Sequence, residues 1–157
     1  MTLLVRTLRP HDAQAAAFLH AQCFEDLGER PWTADEFVGL LATPGCFGLL
    51  LVADGQPDGF AVARVAADEA EILTLGVAPP ARRRGGGSRL LSVLEYRCRR
   101  RGAQSLFLDV AEDNLPARCL YAGRGFTVVG RREAYFDRGK RGRTAAMTMR
   151  LDLHGGR

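Results

Sequence analysis

EILTLGVAPPARRRGGGSRLL, Glu71 to Leu91, is the stretch on which the reading of this chain turns. Ile72, Leu73, Leu75 and Val77 read as a buried strand. Pro79 and Pro80 end it in an irregular turn, a run of arginines and glycines follows, and Leu90, Leu91, Leu94 and Cys98 then recur at helical spacing. A strand that passes through a glycine-rich loop into a helix makes an anion site. The first N–H groups of the helix lack intrahelical partners, and the macrodipole favours negative charge there. Gly85, Gly86 and Gly87 carry no side chain to hold a phosphate off the backbone, Ser88 follows them, and Arg82, Arg83 and Arg84 supply positive charge. The stretch reads as a pyrophosphate cradle.

The ligand can be narrowed. Nucleoside triphosphate hydrolysis on a P-loop needs G-x-x-x-x-G-K-S/T, and no lysine lies here. A dinucleotide fingerprint is a nearer rival, because Asp109 ends the next strand, where a ribose-binding acid belongs. Its third glycine would fall at Leu90, and 157 residues leave little room for a doubly wound domain. The pattern that remains is Arg/Gln-x-x-Gly-x-Gly/Ala, present as Arg82, Gly85 and Gly87. It resembles the coenzyme A pyrophosphate loop of the GNAT family of N-acetyltransferases. Taken alone, the loop has a plainer reading as glycines flanked by solvated arginines.

Length and composition bound the rest. One domain spanning 1–157 has chain enough for a full core, and 46% hydrophobic with 25% charged residues is ordinary for a soluble globular protein. No run approaches a membrane span, and the first residues lack a charged-then-apolar leader pattern, so the expectation is a cytoplasmic protein with no membrane partner. Cys23, Cys46, Cys98 and Cys119 are widely spaced and expected to stay reduced. His11, His20 and His154 show no ligand spacing, and no metal is expected. The net charge is +4, and Lys140 is the one lysine among 22 basic residues. No basic run is interleaved with aromatics, so direct nucleic-acid binding is not expected. A monomer or weak homodimer is.

Along the chain, Leu3 to Leu8 reads as a first strand. A helix capped by Asp12 should run to about Phe24 with Phe18, Leu19 and Cys23 inward. Thr33 and Glu36 form a capping box for a second helix, with Trp32 stapled onto Phe37. Strands at Cys46–Ala53 and Gly59–Ala66 join the central strand in an antiparallel meander. The basic run Arg99–Arg101 before Gly102 reads as a helix terminus. Ser105–Val110 is a strand, Asn114 caps a short helix with Pro116 in its first turn, and strands follow at Phe126–Gly130 and Ala145–Leu151. Leu153 to Arg157 reads as a frayed tail. The order β-α-α-β-β-β-α-β-α-β-β gives an α/β mixed sheet with helices on both faces, the acyl-CoA N-acyltransferase fold of the resembled family.

A second motif strengthens the resemblance. N-x-x-A-x-x-L-Y-x-x-x-G-F is present as Asn114, Ala117, Leu120, Tyr121, Gly125 and Phe126. Pro31-Trp32, Glu71, the segment LDVAEDN, and Gly130-Arg131-Arg132 leading to Tyr135-Phe136 are similar to the RimI-type branch, which acetylates the N-terminal alanine of ribosomal protein S18. The resemblance implies acetyl-CoA as co-substrate and a protein N-terminus as acceptor, attacking the thioester directly in a ternary complex. A lysine side chain, a polyamine or an aminoglycoside is the alternative acceptor, and a non-catalytic acetyl-CoA-binding module the alternative role. Tyr121 takes the position of the family's acid. The family's glutamate twelve positions earlier is Asp109 here, one methylene shorter and so withdrawn by about 1.5 Å. Asp109 and Glu71 are both candidates for the base. Leu75, Gly76 and Val77 would bond the pantetheine arm, as would Asn114, and Trp32, Tyr135 and Phe136 would wall the acceptor. Three departures stand out: Phe136 where the family often has Tyr, Gly86 where an apolar residue is usual, and Arg124 where Leu precedes Gly-Phe.

Overall fold

Residues 2–153 are described by a computed structural model. The strands are β1 (Leu3–Thr7), β2 (Cys46–Ala53), β3 (Gln56–Ala66), β4 (Glu69–Val77), β5 (Ser105–Ala111), β6 (Thr127–Asp137) and β7 (Arg143–Asp152). The helices are α1 (Ala13–Phe24), α2 (Ala34–Leu41), α3 (Gly86–Arg100) and α4 (Leu115–Gly123). The strands form one sheet in the order β1-β2-β3-β4-β5-β7-β6, in which only β4 and β5 run parallel. The element order and mixed sheet expected from the sequence are both present.

Strand alternation sorts the side chains into two layers. Leu49 and Leu51 of β2 face α3 and pack with Leu90, Leu91, Leu94 and Cys98. Leu50 between them faces the other way, with Phe60 and Val62 of β3, against Leu19 and Cys23 of α1 and Phe37 of α2. Each such leucine contributes about 1.5–3 kcal/mol by burial, so the sheet is held from both sides. Trp32 packs on Phe37 at 5.5 Å, and Thr33 and Glu36 exchange the two capping-box hydrogen bonds that start α2.

The meander positions the site. β3 and β4 pair along their length except at Leu73, an extra residue that bulges β4. β4 and β5 pair only through Glu69–Glu71 and Ser105–Phe107. Beyond Glu71 the two strands part, and the opening between them leads to the glycine-rich loop. Gly85 sits at φ +82°, the left-handed region that turns the chain into α3.

Four expectations need correction. Phe18 is not inward but 66% exposed; the buried stripe of α1 is Ala13, Ala16, Leu19, His20 and Cys23, and Phe18 lies off it. Asp12 does not cap α1 with its side chain. Its carboxylate turns back to accept from the Arg9 N–H and from both terminal nitrogens of Arg6. β6 runs past Gly130 to Asp137, because a bulge near Ala134, which has φ +47°, lets it re-pair with β7 at Phe136. Leu153 is buried and its N–H bonds the Gln104 carbonyl at 2.9 Å, so it is not frayed. The rest of the expected tail, with His154, lies outside the described residues.

Two of the departures find partners. A Cβ on Gly86 would come within 2.5 Å of Leu51 Cδ2, so Leu51 already fills the space an apolar residue would take. Arg124 reaches back to the buried Glu95 of α3 at 3.0 and 3.3 Å.

Candidate active site

Two cavities open where β4 and β5 part. The larger, about 700 Å³, is lined by Leu75, Gly76 and Val77 of β4, by Arg82, Arg83 and the glycine-rich loop through Ser88, and by Asn114 and Tyr121. At the start of α3 the N–H groups of Gly86, Gly87 and Ser88 lie ahead of the first intrahelical bond, from the Arg89 N–H to the Gly85 carbonyl. The glycines keep the loop against its neighbours: a Cβ on Gly87 would come within 2.9 Å of Leu120 Cδ2. Arg82 is partly committed, since its Nε bonds the Val77 carbonyl at 2.9 Å. Arg84, expected beside the phosphates, does not line the cavity. Free amides, a helix N-terminus and Arg83 are the donors a pyrophosphate needs, and the exposed edge of β4 suits an amide-bearing arm.

The smaller cavity, about 270 Å³, adjoins the larger, and Tyr121 borders both. Tyr121 is buried on α4 with its ring edge-on to Phe126, and burial pushes its hydroxyl pKa up, which keeps the proton on. Among the described residues that hydroxyl makes no hydrogen bond. Asp109 faces the smaller cavity from β5. Its Oδ1 accepts from the Thr148 hydroxyl at 2.6 Å and lies 3.5 Å from Arg132 Nε; Oδ2 has no hydrogen bond from the described residues. Glu71 is elsewhere. It lies in the stretch of β4 still paired to β5, its carboxylate 3.8 Å from Arg64 Nη2, and it lines neither cavity.

Of the expected acceptor residues, Trp32 and Phe136 line the smaller cavity. Tyr135 does not. Alternation along β6 turns it outward, where it packs edge-on against Phe136 and under the Arg132 guanidinium. Asn114 accepts from the Ala117 N–H as the cap of α4 while bordering both cavities.

Sequence reasoning missed three groups. His20 and Phe24 reach the smaller cavity from the inner face of α1, where a polar residue on an otherwise apolar stripe was the available signal. Glu29, bordering the same cavity, is the second. Burial raises its carboxyl pKa although Arg138 Nη2 lies 3.4 Å away. The third is Arg138 itself, 7% exposed, which holds Asp113 through two hydrogen bonds at 2.6 and 2.8 Å.

Comparison with known proteins agrees with this geometry. The Acetyltransferase (GNAT) family model matches residues 11–126. The N-alpha-acetyltransferase RimI of Mycobacterium tuberculosis is 36% identical over 130 residues, 80% of this chain and 78% of that protein. The ribosomal protein bS18 alanine N-acetyltransferase of Haemophilus influenzae is 35% identical over 101 residues, 64% of this chain and 68% of that one. The crystal structure of the ribosomal-protein-S18-alanine N-acetyltransferase of Escherichia coli superposes with a TM-score of 0.86 at 27% identity, covering 97% of this chain and 94% of that one. With a family model matched over most of its length, relatives above 30% identity and a superposition over nearly the whole chain, the chain belongs to the GNAT family and is an acetyl-CoA-dependent N-acetyltransferase of the RimI type.

Proposed function

We propose that the acceptor is the N-terminal α-amine of a protein, and specifically the N-terminal alanine of ribosomal protein S18. One observation carries this reading. The smaller cavity, about 270 Å³, is a slot walled by Trp32, Phe24 and Phe136, carries Asp109 and Tyr121 on its lining, and has room for the first residues of a peptide. The relatives named for S18 acetylation support it.

Acetyl-CoA supplies the acetyl thioester, and the chain's own groups do the rest. The Gly86–Ser88 amides and Arg83 hold the pyrophosphate, and β4 from Leu75 to Val77 aligns the arm towards Tyr121. An α-amine has a pKa of about 8, so about a tenth is unprotonated at neutral pH. Asp109 Oδ2 accepts a proton from the attacking amine, directly or through one water, while Thr148 and Arg132 fix the carboxylate by its other oxygen. The Tyr121 hydroxyl donates its proton to the departing thiolate. Glu71, paired with Arg64 outside the slot, takes no part.

Acetyl-CoA turnover with an S18 N-terminal peptide, set against the same peptide blocked at its α-amine and carrying a free lysine, tests the reading. Turnover of the first alone is expected. Turnover of the lysine peptide alone would overturn the N-terminal assignment, and the acids Glu29, Asp109 and Asp137 on the cavity wall would then read as a site for a cationic amine. Binding of acetyl-CoA without turnover of any amine would leave a coenzyme-binding module.

A further inference from the structure

His20 is 4% exposed on α1 and borders the acceptor slot. Its ring stacks on Trp32 at 5.1 Å and packs against Phe24 at 4.5 Å. The Trp32 backbone N–H donates to Nδ1 at 3.1 Å. A neutral imidazole has one acceptor nitrogen and one donor, so this bond puts the proton on Nε2. Burial lowers the pKa to about 4, and the ring stays neutral at neutral pH. Among the described residues the Nε2–H finds no acceptor. Four aromatic rings pack around the imidazole, yet Nε2 is not sealed in: among the described residues Arg138 Nε is the one fully buried side-chain nitrogen or oxygen without a partner, so the Nε2–H is open to an acceptor from the space that His20 lines.

The slot's other walls narrow what that acceptor is. Arg30 is held by both carboxylate oxygens of Glu36, at 2.7 and 2.8 Å. Phe136 carries no hydroxyl where a tyrosine would offer one. An amine about to attack a thioester must keep its lone pair free, so a donor in the slot is of use only to a neighbouring oxygen. A peptide N-terminus has one: the carbonyl of the first residue, two bonds from the carbon that bears the amine. A lysine side chain or a polyamine has none at that distance.

We infer that His20 selects α-amines of peptides over alkyl amines, its Nε2–H donating to the carbonyl oxygen of the acceptor's first residue. This rests on the α-amine reading above and adds to it the group that distinguishes a chain terminus from a side chain.

A two-way comparison tests it. The substrates are an N-terminal alanine peptide and its isostere with a trans-alkene in place of the first amide, which keeps the shape and the amine and lacks the carbonyl oxygen. The proteins are wild type, His20→Asn and His20→Gln. Asn keeps an acceptor at the Nδ1 position for the Trp32 N–H and has no donor at Nε2; Gln reverses this. A neutral hydrogen bond of about 1 kcal/mol corresponds to about fivefold. Wild type and His20→Gln should therefore lose about fivefold more kcat/KM on the alkene than His20→Asn does, with KM for acetyl-CoA unchanged. Equal losses in all three proteins overturn the assignment and leave the α-amine reading intact. An absence of wild-type turnover with any α-amine peptide overturns both. Should the Asn variant not fold, the imidazole of wild type decides. With coenzyme A bound, the peptide should shift the His20 Nε2–H resonance and the alkene should not; the same response to both refutes the assignment.

Discussion

Replacing Arg124 by Leu, the residue common at this position in the family, should destabilise this chain. The reason is Glu95. Its carboxylate is 8% exposed on α3, and among the described residues its hydrogen bonds come from Arg124, at 3.0 and 3.3 Å. Removing one partner of a buried pair costs about 3–5 kcal/mol, because the remaining charge stays desolvated. Arg124 is 31% exposed, so water can reach part of the vacated space, and about 2–3 kcal/mol is the better figure. For a chain of this length that lowers Tm by about 5–10 °C. Glu95→Gln breaks the same pair from the other side. Its guanidinium partner can still reach water, and the loss should be about 1 kcal/mol. The double variant Glu95→Leu/Arg124→Leu leaves no charge behind and should return to within about 1 kcal/mol of wild type. Urea unfolding of all four proteins measures this, with m-values checking that the denatured states are comparable. If Arg124→Leu costs no more than Glu95→Gln, or if the double variant is as unstable as the sum of its parts, the carboxylate is not the source of the loss.

Tyr121→Phe should lower kcat by about 10²–10⁴-fold while leaving stability and acetyl-CoA affinity nearly unchanged, since among the described residues the hydroxyl bonds no other group; steady-state kinetics with isothermal titration separates the two. Asp109→Asn should abolish the acidic limb of the rate–pH profile, and Glu71→Gln should retain it, as pH–rate measurements on both variants would show. Asp12 provides a stability test. Hydrogen bonds from Arg6 hold its pKa at about 2, below the ordinary 3.8. A depressed carboxyl stabilises the fold above about pH 4 and loses that contribution as pH falls towards 2. Arg6 is half exposed, so roughly 1 kcal/mol is at stake, and the gap in stability between wild type and Asp12→Asn should close across that window.

How much was legible before folding depended on range. The capping box of α2, the Asn114 cap and the glycine-rich turn are written within four or five residues, and each was readable as it stands. The burial of Phe37 followed from its staple with Trp32, and the α3 stripe from periodicity. Asp109 and Glu71 could not be told apart, because the difference between them is where two strands stop pairing, and no local pattern marks the end of a parallel ladder. Phe18 misled because hydrophobicity alone put it inward, whereas the helical phase set by Ala16, Leu19 and Cys23 did not. His20 looked like a lone histidine until Trp32, twelve residues on, was folded against it.

Arg138 has a consequence for the order of events in turnover. Its guanidinium ties Glu29, on the wall of the acceptor slot, to Asp113, on the wall of the coenzyme cavity, and Arg141 from the same turn bonds the Asp26 carbonyl. Three surface turns distant in sequence are thereby fastened at one point. On the proposed function, a displacement at Glu29 would be transmitted to Asp113 through this one side chain, and Arg138→Ala should then change how strongly the acceptor peptide alters the measured affinity for acetyl-CoA.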